Sequence, residues 1–146
     1  MKYVSTYFSP DRGAGDTLIG FIDKCETSID VAVYSLTHDE LANALIRAKG
    51  RGVAIRVLID KVQAASRYAD DEKLEEAGIE VVRDTKAGAM HNKFMIGDNS
   101  AVGTGSFNWT KNADENNAEN FVIVRLLYVV KEFQEEFDAL WEKNSS

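Results

Sequence analysis

A chain of 146 residues with 45% hydrophobic content, ten glycines and one proline is sized for one domain, residues 1–146, with a sizeable core. Its one cysteine, Cys25, excludes an intrachain disulfide, and neither zinc-ligand spacing, a leader-like N-terminus nor an apolar run long enough to span a bilayer is present. The net charge of −7 argues against non-specific nucleic-acid binding through a broadly basic surface.

The elements read in order from hydrophobic period and turn chemistry. Residues 2–8 alternate and are rich in β-branched and aromatic types, as a strand requires. Residues 9–13, SPDRG, are a turn, and Asp16 or Thr17 is the expected cap of a helix carrying Leu18, Ile19, Ile22 and Cys25 on one side, with Cys25 as a buried structural thiol. Residues 28–35, SIDVAVYS, form a short apolar strand of the kind buried on both faces of a parallel sheet. Thr37 with Glu40 makes a capping box, and Leu41, Ala44, Leu45 and Ala48 give the apolar face of a helix that ends at Gly50. A second apolar strand over 53–60 completes a β-α-β unit with parallel, right-handed pairing. Residues 61–68 lack a period and read as a loop or frayed helix, 70–77 as a helix stopped by Gly78, and 79–82 as a strand. A polar loop over 83–89 leads to Met90, another over 111–117 follows the motif region, and 119–126 is an apolar strand. A final helix over 130–143 lines up Phe133, Phe137, Leu140 and Trp141. No internal repeat is found.

The stretch MHNKFMIGDNSAVGTGSFN, residues 90–108, organises the rest. His91 and Lys93 are two apart and share one face of a strand, while Phe94 and Ile96 take the other. Gly97-Asp98-Asn99-Ser100 is turn chemistry, so a hairpin returns Ser106 and Asn108 towards His91. A nucleophilic or acid-base histidine needs an orienting partner and a cation near developing charge. Glu119 and Asp98 are the candidate orienters, Lys93 is the cation, and Asn108, Ser106 and nearby glycine N–H groups add neutral donors. Such a set suits a phosphate ester without a divalent metal. Charges balance over residues 86–125, so the site is locally neutral or positive inside an acidic molecule.

HNKFMIGD matches the HxKxxxxD signature of the phospholipase D superfamily, GSFN matches the GSxN that follows it, and Asn117-Ala118-Glu119-Asn120 supplies the family's glutamate. The chain resembles the small bacterial endonucleases of that superfamily, which carry one motif per chain. The resemblance implies an α/β fold with a mixed sheet and helices on both faces, and no cofactor. His91 would attack phosphorus to give a phosphohistidine, and Lys93 and Asn108 would hold phosphate oxygens. Glu119 would orient the imidazole, Ser106 would support the site by hydrogen bonding, and Asp98 would have a less direct part. Two imidazoles are needed, one to attack and one to protonate the leaving oxygen. A single motif without a repeat therefore implies a homodimer with a composite site near its two-fold axis.

The implied activity is a metal-independent endonuclease acting on DNA or RNA. A phospholipase-type lipid diesterase and a module that holds nucleic acid without cutting it are the alternatives. No basic amphipathic helix marks a membrane surface, so no stable membrane association is expected. The expected compartment is the cytoplasm as the chain stands, or the periplasm or exterior if a leader precedes it. His38 reads as a surface residue at a helix start and Trp109 as core. Arg47, Lys49 and Arg51 read as a solvated helix end, and Trp141 as core or dimer packing.

Overall fold

The computed structural model describes residues 2–145. Among them, seven strands make one sheet: β1 Val4–Ser9, β2 Ser28–Val33, β3 Ala54–Asp60, β4 Glu80–Asp84, β5 Lys93–Gly97, β6 Ala101–Gly105 and β7 Glu119–Val124. The helices are α1 Ala14–Lys24, α2 Asp39–Gly50, α3 Lys61–Ala64, α4 Asp71–Glu76, α5 Lys111–Glu115 and α6 Leu127–Ser145. The spatial order is β1-β7-β6-β5-β2-β3-β4. β2, β3 and β4 run parallel, and the remaining pairings are antiparallel.

The apolar runs of β2 and β3 are buried on both faces because helices cover both. On one side Leu18 and Ile22 of α1 and Leu41 and Leu45 of α2 pack on Ile29, Val31 and Val57. On the other, Val130 and Phe137 of α6 pack on Leu58, Phe94, Ile96 and Val102. Each such fully buried side chain contributes about 1.5–3 kcal/mol relative to exposure. Strand β5 shows the alternation directly, with Met95 in the first core and Phe94 and Ile96 in the second. The mixed sheet with helices on both faces expected from sequence is present.

At the β1 edge Val4 and Phe8 are exposed, and so are Leu127 and Tyr128 at the start of α6.

Several boundaries and caps differ from expectation. Helix α1 begins at Ala14, and Gly13, at φ 71°, stands at its N-cap instead of Asp16 or Thr17. Helix α2 is capped by His38, whose ring accepts from Leu41 N, in place of Thr37. The backbone explains this, because Trp109 O takes both Thr37 N and His38 N. Glu40, free of a capping box, pairs with Lys111 at 2.9 Å. His38 is only 1% exposed, against the surface position expected, because Asp114 accepts from its Nε2 at 3.0 Å. The polar loop over 111–117 contains helix α5, capped by Thr110. The segment 61–68 opens with the one-turn helix α3, capped by Asp60. Strand β4 extends two residues beyond the expected end, and α6 starts at Leu127. Arg47 and Arg51 tie α2 to the end of α1, through Asp23 and the carbonyls of Ile22 and Cys25. Trp109 is buried in the core, and so is Cys25, whose thiol is pushed up to about 12, mainly by burial and then by Asp98.

Candidate active site

Register brings the motif residues to one edge of the sheet. Val33 pairs with Lys93, so the loop leaving β2 borders the start of β5 and His91 just before it. Gly105 pairs with Phe121, which sets the end of β6 and Ser106 beside the start of β7 and Glu119. This is also the edge where parallel strands β2, β3 and β4 end, the place where α/β sheets hold ligands. Gly105 permits the approach, since a Cβ there would collide with Asn120 O.

His91 is exposed and Lys93 is half-buried. Lys93 Nζ lies 2.9 Å from His91 Nδ1 and donates to His91 O at 2.8 Å. Burial lowers the Lys93 pKa, and the charge of Glu119 works against that fall. The ammonium is therefore partly desolvated, where its field on a bound phosphate is stronger than in water. Ser106 Oγ donates to Glu119 Oε1 at 2.5 Å, and Asn117 Nδ2 donates to Glu119 Oε2 at 3.2 Å. Asn108 Oδ1 accepts from Ser35 N at 3.2 Å, which fixes the amide and leaves its NH₂ as the donating end.

Two expected partnerships are not formed within this chain. Glu119 engages Ser106 and Asn117 instead of the His91 ring. Asp98 lies at the far end of β5, about 17 Å of strand from Lys93 at ~3.3 Å per residue. Its carboxylate accepts from the backbone N–H groups of Glu26 at 3.0 Å, Thr27 at 2.7 Å and Ser28 at 3.2 Å. Burial pushes this carboxyl up, but those bonds together outweigh it and hold the pKa below the ordinary value. Asp98 and Asn99, at φ 54° and 52°, are the centre of the β5–β6 turn, closed by Ser100 N on Gly97 O at 3.0 Å. Both central residues at positive φ make a type I′ turn, matched to strand twist. Asp98 thus docks the hairpin on the entry to β2, and an orienting contact with His91 is out of its reach.

One neighbour of His91 lies outside the motif, and a second residue holds that neighbour. The Tyr34 ring packs on the imidazole, with centroids 4.6 Å apart, and Lys93 Nζ is 5.4 Å from the same ring. Gln63 Nε2 donates to Tyr34 Oη at 3.1 Å. The pairing of β2 with β5 sets Tyr34 against His91, and that of β2 with β3 brings Gln63 to Tyr34, so the local sequence carries no signal for either contact. His38 supports the motif loop from behind, since its partner Asp114 sits on α5, directly after that loop, and also accepts from Gly15 N.

Among the described residues no three His, Cys, Asp or Glu side chains cluster as a metal site requires. A cavity of about 500 Å³ lies at the opposite sheet edge, beside Ser28, Ala54 and Glu80. Among its charged walls, Arg56 is paired with Asp30 at 2.8 Å and with Asp138 at 2.9 Å. No helix among the described residues is long and apolar enough to cross a membrane.

His91 lies just before β5 and not on it as expected, so the site is a histidine at the entry to a strand and a lysine at its first residue, with a Ser-Asn loop and a glutamate at the edge of a mixed seven-stranded sheet, which define a phospholipase D-like domain. The chain belongs to the family described as cardiolipin synthase, PLD-like domain, whose model matches residues 18–141. Members of this family are phosphodiester hydrolases. Among curated proteins it is 40% identical over 121 residues to a phospholipase D of Rickettsia conorii, covering 83% of this chain and 60% of that one. It is 32% identical over 124 residues to a mitochondrial cardiolipin hydrolase of Chlamydomonas reinhardtii, covering 85% and 56%. The chain thus spans about three fifths of the length of these relatives. Among solved structures, a phospholipase D family member, Nuc from Salmonella typhimurium, superimposes with a TM-score of 0.92 at 32% identity, covering 97% of this chain and 95% of that one.

Proposed function

We propose that the chain is a metal-independent endonuclease that hydrolyses nucleic-acid phosphodiesters through a phosphohistidine, in a homodimer with a composite site. The observation that carries this is Lys93 Nζ set 2.9 Å from His91 Nδ1 at an exposed sheet edge, with Asn108, Ser106 and Glu119 alongside. A nitrogen of the His91 imidazole attacks phosphorus, and the bond from phosphorus to the leaving oxygen breaks as a second, protonated imidazole gives that oxygen a proton. Water then attacks phosphorus, the second imidazole takes its proton, and the P–N bond breaks to restore His91. Lys93 and the Asn108 amide hold non-bridging oxygens, where negative charge grows.

The second imidazole comes from a second copy of the chain. His38, the other histidine, is buried against Asp114 and cannot serve. Glu119 engages Ser106 rather than its own His91, so the imidazole it orients is that of the partner subunit. The exposed apolar side chains Val4, Phe8, Leu127 and Tyr128 support a docking surface, and β1 leads to the site because Phe8 pairs with Asn120 and Ser9 with Glu119.

The nuclease reading is favoured over a lipid diesterase by the near end-to-end likeness to Nuc and by the resemblance to single-motif endonucleases. The names of the curated relatives make cardiolipin and phosphatidyl diesters the second reading. The test is cleavage of labelled single-stranded DNA, double-stranded DNA, RNA, bis(p-nitrophenyl)phosphate and cardiolipin vesicles in excess EDTA, by wild type and His91→Asn. Cutting of nucleic acid by the wild type alone is expected. Loss of all activity on chelation, restored by Mg²⁺, overturns the phosphohistidine route, and cutting of cardiolipin alone overturns the nuclease.

A further inference from the structure

The segment joining β3 to α4 is fixed at two points to the loop beside the reaction centre. Gln63 Nε2 donates to Tyr34 Oη, and Asp70 N donates to Leu36 O at 3.0 Å. Between these pins Arg67 and Tyr68 face solvent. Tyr68 is 67% exposed, and the Arg67 guanidinium carbon stands 5.0 Å from its ring centroid. An open aromatic face backed by a stacked arginine is a platform for a planar, anionic ligand.

Four carboxylates at this edge are held inside the fold. Asp60, Asp70, Asp71 and Asp84 are all buried. Asp60 accepts from Val62 N, Gln63 N and Met90 N, Asp71 from Arg83, and Asp84 from Lys86 N. Lys61, Arg67 and Lys86 are exposed and make no ion pair among the described residues. These three cations stand on the surface of an acidic molecule, at an edge that also carries the exposed carboxylates Asp39 and Glu72.

We propose that Arg67 and Tyr68, with Lys61 and Lys86, form a subsite for the nucleotide flanking the scissile phosphate, and that it selects single-stranded nucleic acid. The proposal rests on the phosphodiesterase reading above and adds a base-stacking subsite and strand selection to it. Stacking on Tyr68 needs a free base face, which a paired strand does not offer, while Lys61 and Lys86 track the backbone. A phosphatidyl diester carries no planar group to stack.

The test compares wild type, the double variant Arg67→Ala/Tyr68→Ala, and Tyr68→Phe. Substrates are a labelled single-stranded oligonucleotide, its duplex, bis(p-nitrophenyl)phosphate and cardiolipin vesicles. In the double variant the ratio of oligonucleotide to small-diester kcat/KM is expected to fall about tenfold or more, mainly through KM, in line with the measured range for one base–aromatic stack. Tyr68→Phe keeps the ring and should restore most of that ratio. Equal losses on oligonucleotide and small diester, an unchanged ratio, or a loss confined to duplex or vesicles each overturn the subsite. Binding of the same oligonucleotide to His91→Asn protein, with and without the double substitution, is followed by fluorescence anisotropy. Weakened binding supports the subsite even if the wild type hydrolyses nothing, a result that would defeat the phosphodiesterase reading alone. Unchanged binding overturns the subsite whatever the wild type cuts.

Discussion

Replacing Asp98 separates the parts of the signature that do chemistry from the part that builds the fold. Asp98→Ala removes the acceptor shared by Glu26 N, Thr27 N, Ser28 N and Thr27 Oγ1. Water replaces it at the exposed donors, so the loss is about 1–2 kcal/mol, as for a helix N-cap. Alanine at φ 54° adds roughly 1 kcal/mol of left-handed strain. The total of about 2–3 kcal/mol lowers Tm by roughly 5–12 °C for a chain of this size. An asparagine side chain tolerates the positive φ and keeps one acceptor oxygen, so Asp98→Asn should cost about 1 kcal/mol. Because the folded carboxyl is held below its ordinary pKa, its stabilisation is present above the unfolded value and is lost as pH falls through the folded one. The Tm difference between wild type and Asp98→Asn should therefore shrink in acid. Thermal unfolding against pH, with kcat on bis(p-nitrophenyl)phosphate well below Tm, checks this. If Asp98→Asn keeps a wild-type Tm but loses about a hundredfold in kcat, the carboxylate takes part in the reaction and the docking role is refuted.

Lys93→Ala should lower kcat at least about a hundredfold with little change in Tm, since the proposed task of the half-buried ammonium is to hold charge on the phosphoryl group; steady-state kinetics on the small diester decide it. Gly105→Ala should destabilise by more than about 1–3 kcal/mol, because the new Cβ would collide with Asn120 O and force β6 from β7. The same displacement moves Ser106, so kcat should fall with stability, and urea unfolding beside kinetics would expose a wild-type result on either axis. Asp70 is pushed up to about 6, first by burial and then by its bond to Asp39. A raised carboxyl stabilises below its unfolded pKa and loses that stabilisation as pH rises through about 6. Asp70→Asn should accordingly gain Tm relative to wild type at about pH 7.5 and not at about pH 4, and an equal effect at both values would contradict the assignment.

The sequence made the central architecture legible where pattern and length agreed. Strands β2 and β3 showed as apolar runs, α2 as an amphipathic helix, and the β5–β6 turn as Gly97-Asp98-Asn99-Ser100 between alternating segments. What it hid depended on partners distant in the chain. His38 looked like a surface residue because its partner Asp114 is 76 residues away. Helix α5 has five residues, too few to show a period. Glu119 was visible as a site residue, but its direction is set by Ser106, thirteen positions earlier. Nothing local announced Tyr34 or Gln63, since strand pairing brings Tyr34 to His91 and Gln63 to Tyr34.

The spacing between Lys93 and Asp98 works as a ruler. One mark is the proposed reaction centre at the mouth of β5, the other is the mooring of its hairpin at the sheet's far border, and the strand between them measures the depth of the sheet. A residue inserted inside that interval would turn Phe94 and Ile96 out of the α6 core or roll the lysine away from the histidine, because strand side chains alternate. A substitution within the interval can be absorbed by repacking, whereas a change in its length cannot. The number of letters in the motif is therefore a dimension of the sheet as much as a requirement of phosphate chemistry.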